Sequence, residues 1–225
     1  MLNFFLTVED GYASLKPAGV VAVYVLIALT LLLILLLSRK RGRKLTTKEL
    51  VFSAVAIALG FALSYVKILR MPWGGAATLM SMLMITLIGY WYGARIGFAA
   101  AFAYSLLQFV QGGGSYMVSI LQVCFDYFFA FTALGVSGFF RKGRYGMQIG
   151  YLVAVILRGL FHTLGGYFFW MDYMPDSFPK GLAFAYPVVY NYSYILIEAA
   201  LTLVLISLPA VQNALQEVKK IAVEE

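Results

Sequence analysis

From Ala18 to Ser38 the chain runs without a charged side chain, then meets Arg39, Lys40, Arg41, Arg43 and Lys44. A run of about 20 apolar residues makes a helix as long as the hydrocarbon layer is thick. In lipid every backbone N–H and C=O must be satisfied within the chain, so such a segment is constrained to be helical. It does not read as a cleavable leader, because the basic cluster follows the apolar run and Glu9 and Asp10 precede it. Cutting the rest of the chain at its charges and glycines gives six more apolar stretches, at residues 50–66, 79–92, 96–110, 116–140, 147–170 and 187–208. The chain is therefore expected to be an all-α integral membrane protein with seven spans, one followed by six. The stretches 79–92 and 96–110 are short, which suits tilted or sheltered helices.

Composition agrees: 62% of the residues are hydrophobic and 12% are charged, against about 25% charged in soluble domains. The net charge of +7 has a topological explanation. With the amino terminus outside, Arg39, Lys40, Arg41, Arg43, Lys44, Lys48, Arg95, Arg141, Lys142, Arg144, Lys219 and Lys220 fall on the cytoplasmic side, and only Lys16, Lys67, Arg70 and Lys180 fall outside. Basic loops stay inside, so this asymmetry sets an orientation in the cell membrane with the amino terminus outside and the carboxyl terminus cytoplasmic. Nucleic acid is not needed to explain the charge. A single cysteine, Cys124, and a single histidine, His162, exclude the usual four-ligand zinc sites, and no cofactor or metal is expected.

Four ionisable residues lie within the spans: Asp126, Arg158, His162 and Glu198. Each costs at least about 2.5 kcal/mol in the membrane unless it has a partner or a use. Counting from the outer helix ends at 1.5 Å per residue places Asp126 and His162 at similar depth in the outer half, on consecutive antiparallel helices. They can meet in one cavity. Near that depth stand Tyr116, Gln122, Tyr127, Trp170, Tyr186, Tyr190 and Asn191. Aromatic walls around one carboxylate suit a flat, polar, cationic heterocycle, stacked on indole or phenol and paired with the acid. A buried structural ion pair between Asp126 and His162 is the plainer alternative, and Trp73, Trp170, Tyr173 and Tyr186 each also fit an interfacial aromatic belt. Arg158 and Glu198 lie deeper and are expected to bridge each other.

On the stretch 50–66, Ala54, Ala58 and Ala62 recur every four residues beside a stripe of Ala56, Gly60 and Ser64. Such a face lets another helix approach closely, either within the chain or in a partner. Gly135-Val136-Ser137-Gly138 has the form found around the nucleophile of rhomboid intramembrane proteases, which raises an alternative: a serine hydrolase using Ser137 and His162. Depth argues against it, since Ser137 is near the inner surface and His162 near the outer one, whereas nucleophile and base need hydrogen-bond contact. No nucleotide-binding Gly-rich loop of the Walker A type exists, so transport by this chain would take its energy from a gradient or a partner.

Residues 47–208 resemble the thiamine-specific substrate-binding S-components of energy-coupling factor (ECF) transporters. The resemblance rests on the six-helix length, on Pro72-Trp73-Gly74-Gly75, on Leu107-Gln108-Phe109-Val110-Gln111-Gly112-Gly113, and on Tyr116 ten residues before Asp126-Tyr127. It rests further on Arg158 four residues before His162, with Trp170 eight residues on, and on Tyr186 five before Asn191. It implies a six-helix bundle at 47–208 and leaves unmatched the amino-terminal extension at 1–46, with its one expected transmembrane helix and basic cytoplasmic stretch, and the expected cytoplasmic tail at 209–225. It implies that Trp73, Tyr116, Asp126, Tyr127, His162, Trp170, Tyr186 and Asn191 hold thiamine or a close analogue captured from outside, without covalent chemistry. It also implies docking through Ala54, Ala58 and Ala62 on an ECF transmembrane coupling subunit powered by two ABC ATPases. The family ordinarily carries Glu where this chain has Asp126, a carboxylate about 1.5 Å shorter in reach. Another vitamin, or a pyrimidine precursor such as hydroxymethylpyrimidine, is the alternative ligand for the same architecture.

Overall fold

The structure is a computed structural model, and it describes residues 6–9, 12–15, 17–18, 21, 25, 45–112, 117 and 119–223. The expected span at 18–38 lies outside the described residues apart from Ala18, Val21 and Val25. The other six stretches are all helical: α1 (Thr47–Ser64), α2 (Ser81–Tyr92), α3 (Ala94–Gly112), α4 (Ile120–Phe140), α5 (Gly146–Tyr173) and α6 (Tyr186–Ser207). Four of these, α1, α4, α5 and the helical stretch that contains α6, are long and apolar enough to cross a membrane. With this helix content the chain is a multi-pass, all-α-type membrane bundle.

α1 starts on a capping box. Glu49 N–H donates to the Thr46 hydroxyl at 3.1 Å, and Thr46 N–H donates to the Glu49 carboxylate at 2.9 Å, so two of the helix's orphan donors are satisfied reciprocally. α2 has only 12 residues and is buried around most of its circumference. It is short because it is surrounded by protein. α2, α3 and α4 meet one another through glycine: a Cβ added at Gly89, Gly97, Gly135 or Gly138 would strike a neighbouring helix. Backbones without side chains between them approach closely and gain van der Waals contact that lipid cannot supply.

Three features were not legible in the sequence. Short antiparallel strands β1 (Leu6–Glu9) and β2 (Tyr12–Leu15) form a hairpin ahead of the first apolar run, with β2 beside the end of α5. β3 (Lys67–Arg70) and β4 (Ala76–Thr78) form a second hairpin between α1 and α2. Gly74 and Gly75 turn it at φ of 103° and 78°, in the left-handed region that glycine occupies without cost. The stretch from 209, expected as a tail, forms a further helix, α7 (Pro209–Val223), folded back beneath α1 and α2. Its Ala222 carbonyl accepts from the Tyr92 hydroxyl at 3.1 Å.

The helices are not uniform rods. α4 widens into a π-helical stretch over Cys124–Phe129 and tightens to 3-10 geometry over Ala133–Phe140, and α5 widens again over Gly166–Trp170. Both wide turns lie at the same end of the bundle. π-turns of this kind concentrate at functional sites because they redirect side chains that a regular helix would stack elsewhere.

Candidate functional site

At that end α4, α5, α6 and the β3–β4 turn enclose a cavity of about 700 Å³. The wide turn of α4 supplies Asp126 and Tyr127, α5 supplies His162 and Trp170, and α6 supplies Tyr186, Tyr190, Asn191 and Tyr194. Trp73 reaches it from the β3–β4 turn. Asp126 is the only acid lining it, and no Lys or Arg lines it among the described residues.

The carboxylate is held from two sides. Gln122 Nε2, one helical turn earlier, and Trp170 Nε1, across the cavity on α5, both donate to Asp126 Oδ2 at 2.7 Å. The other oxygen, Oδ1, lies 3.9 Å from His162 Nδ1. Gly165 makes this approach feasible, because a Cβ there would come within 2.6 Å of Asp126 Oδ1. Arg158 Nε donates to His162 Nε2 at 3.4 Å. A neutral imidazole that accepts at Nε2 carries its proton on Nδ1, so the donor faces Asp126. The guanidinium itself sits 4.4 Å from the Phe131 ring centroid, a cation–π contact that helps offset its desolvation.

The walls are an aromatic ladder. Trp73, Phe178, Tyr186, Tyr190 and Tyr194 follow one another with centroids 5.0 to 6.1 Å apart, mostly edge to face, and Trp170 meets Tyr173 at 5.3 Å. The Gly74-Gly75 turn leans directly on this ladder: added Cβ atoms there would strike Tyr190 and Tyr194. Asn191 faces the cavity, but its amide is engaged internally. Nδ2 donates to the carbonyls of His162 at 3.2 Å and Pro187 at 2.9 Å, while Oδ1 accepts from the Tyr194 hydroxyl at 3.1 Å. It therefore pins α6 to α5 and orients Tyr194.

Of the eight residues expected in the cup, Trp73, Asp126, Tyr127, His162, Trp170, Tyr186 and Asn191 line one cavity, and Tyr116 lies outside the described residues. Tyr194, Phe131, Gly166 and Pro187 line it as well and were not singled out from the sequence. The repeat Tyr186, Tyr190, Tyr194, four residues apart on one helix face, is the signal that would have found Tyr194.

Two other expectations fall. Arg158 and Glu198 do not bridge. Glu198 instead accepts from the Thr78 N–H at 3.0 Å, the Thr78 hydroxyl at 2.6 Å, the Ser81 hydroxyl at 3.3 Å and the Met82 N–H at 3.2 Å. α2 begins at Met80 in a left-handed conformation with no cap of its own, and Glu198 supplies the missing acceptors at a helix end that favours negative charge. The hydrolase alternative fails on contact as well as depth. Ser137 is 1% exposed and donates to the Thr86 carbonyl at 2.8 Å, in the glycine-packed seam far from His162. Among the described residues no group of three or more His, Cys, Asp or Glu is placed to hold a metal ion.

Comparison with known proteins brings the same region forward. The sequence model of the family described as Thiamine transporter protein (Thia_YuaJ) matches residues 50–217. The thiamine transporter ThiT of Bacillus subtilis (strain 168) is 28% identical over 139 residues, covering 56% of this chain and 70% of that protein. A solved structure of ThiT from Listeria monocytogenes superposes with a TM-score of 0.57 at 19% identity, covering 71% of this chain and 93% of the other, a likeness of fold. With three quarters of its length matched by the family's sequence model, the chain belongs to the thiamine transporter protein family and is a membrane transport component, not an enzyme.

Proposed function

We propose that the cup binds thiamine and that the chain is the substrate-binding subunit of an ECF-type importer. The observation that carries the reading is the single carboxylate, with no Lys or Arg, that lines an aromatic cavity among the described residues. Thiamine is an aminopyrimidine joined to a cationic thiazolium. The Asp126 carboxylate can accept from the exocyclic amine, His162 Nδ1–H can donate to a ring nitrogen, and Trp170 with the tyrosine ladder offers π faces to the cationic ring. Phosphate esters bring negative charge to a cup whose only formal charge among the described residues is Asp126, so thiamine should bind more tightly than its mono- and diphosphate. Asp126, though shorter in reach than the family's usual glutamate, is fixed by Gln122 and Trp170. The hydrogen-bonding set is therefore already ordered before ligand arrives.

The cup end is taken as external and the end carrying Arg95, Arg141, Arg144, Lys219 and Lys220 as cytoplasmic, on the distribution of basic residues. On α1, Ala56, Gly60 and Ser64 are buried inside the bundle, while Ala54, Ala58 and Ala62 are exposed beside Val51, Val55 and Leu59. An exposed small-residue stripe framed by branched apolar side chains supports docking on a transmembrane coupling subunit, with two ATPases supplying the energy.

Equilibrium titration by tryptophan fluorescence tests the ligand, with Trp73 and Trp170 as reporters. Saturable quenching by thiamine, weaker response to its phosphates, and none to riboflavin or biotin are expected. Tighter binding of hydroxymethylpyrimidine than of thiamine would transfer the assignment to the precursor. Ala58→Leu should abolish uptake in cells that carry the coupling subunit and leave thiamine binding intact.

A further inference from the structure

The opposite end of the bundle holds a second cavity of about 610 Å³, formed where α7 folds back against the end of α2 and the start of α5. We propose that it is a binding site for the headgroup of an anionic phospholipid.

Its chemistry is the reverse of the cup's. Lys219 places its ammonium 4.7 Å from the centroid of the Tyr90 ring, and Arg144 places its guanidinium 5.3 Å from that of Tyr145. Neither forms a salt bridge with a carboxylate among the described residues. Lys220 is instead engaged with Glu217 at 2.7 Å, and it is left out of the site. Rings beneath the two cations limit their rotamers without neutralising them, so their N–H donors stay available to an anion. Gln148, Gln212 and Gln216 line the same cavity with neutral donors. Two restrained cations and three amides match a phosphodiester bearing a hydroxylated headgroup.

The neighbouring surface selects lipid over a soluble phosphate. α7 turns the apolar residues Leu215 and Ala222 toward the bundle, yet Val218 and Ile221 point away from it, and Ile221 is 64% exposed. Val204 and Leu208, at the corner between α6 and α7, are exposed as well. A helix with one apolar stripe on protein, another left open and lysines between lies in the membrane interface, where acyl chains cover the open stripe and headgroups meet the lysines. This site does not depend on what the cup binds.

The test uses the full chain in neutral detergent with added phosphatidylglycerol or phosphatidylcholine. Retained lipid is read by native mass spectrometry and stability by thermal melting. Phosphatidylglycerol should be retained at least tenfold more tightly and should raise the melting temperature, with the preference shrinking as salt rises. The double variant Arg144→Gln/Lys219→Gln should lose the preference while keeping the lipid-free melting temperature of the parent. Arg144→Lys/Lys219→Arg, which keeps both charges, should retain it. Equal retention of the two lipids by the parent chain would overturn the site. So would an undiminished preference in the Gln variant, and displacement of phosphatidylglycerol by glycerol phosphate or inorganic phosphate at matched concentration would mark a soluble-anion site instead.

Discussion

Two carboxylates of this bundle, the buried Glu198 and the partly buried Asp126, are treated in opposite ways. Glu198 is enclosed by four donors from Thr78, Ser81 and Met82, two on the backbone and two hydroxyls, and is 2% exposed. Asp126 has two donors on one oxygen and turns the other toward His162 across a cavity wall. A carboxylate has about four lone-pair sites, so Glu198 is saturated by its own protein whereas Asp126 keeps acceptor capacity for a guest. Saturation, more than burial, separates the acid that holds the fold from the acid offered to a ligand.

The contrast is sharpest in substitutions at the two acids. Glu198→Ala leaves the Thr78 and Met82 N–H groups without their acceptor and the Thr78 and Ser81 hydroxyls with only each other. It should lower stability by about 3 kcal/mol, read as a large fall in melting temperature, because unmade buried hydrogen bonds bear the full cost of desolvation. Asp126→Asn should do the reverse, weakening thiamine binding by about 2 kcal/mol with little loss of stability. Trp170→Ala should match it in a binding titration, since it removes both a stacking face and the Nε1 donor on Asp126. Equal effects of the Glu198 and Asp126 variants on melting and on binding would erase the distinction.

Smaller changes refine it. Gly165→Ala places a methyl against Asp126 Oδ1 and should cost about 1 kcal/mol in binding by turning the carboxylate off its donors. Isothermal titration of this variant beside the parent checks it. Ser137→Ala removes only the bond to the Thr86 carbonyl. Stability should fall by less than about 1 kcal/mol, and binding and uptake should be unchanged. Loss of function in this variant at full stability would reopen a chemical role for the serine.

Much of this organisation was legible in the sequence. Each of the six helices α1 to α6 falls within a few residues of an apolar stretch bounded by charge or glycine, because lipid demands length and hydrophobicity in every span. Matching Asp126 to His162 needed only the rise per residue and the antiparallel order of α4 and α5. The partners of Arg158 and Glu198 did not follow from depth. Glu198 is drawn to an uncapped helix start nearly 120 residues away in the chain, and Arg158 settles on a ring and an imidazole beside it. Charge sign alone says nothing of which backbone groups arrive unpaired at the same place.

Membrane insertion, the places of α1 to α6 along the chain, and the shared depth of one acid and one imidazole can all be read from the residues in order. These follow from transfer energies and helix geometry, which act residue by residue along the chain. Tertiary structure alone decided which acid stays available. It did so through the wide turns that aim Asp126 and Trp170 at each other, the glycine at 165 that admits the carboxylate, and the hairpin whose Thr78 claims Glu198. Hydrogen-bond saturation is a property of groups brought together from distant parts of the chain, and no local pattern encodes it.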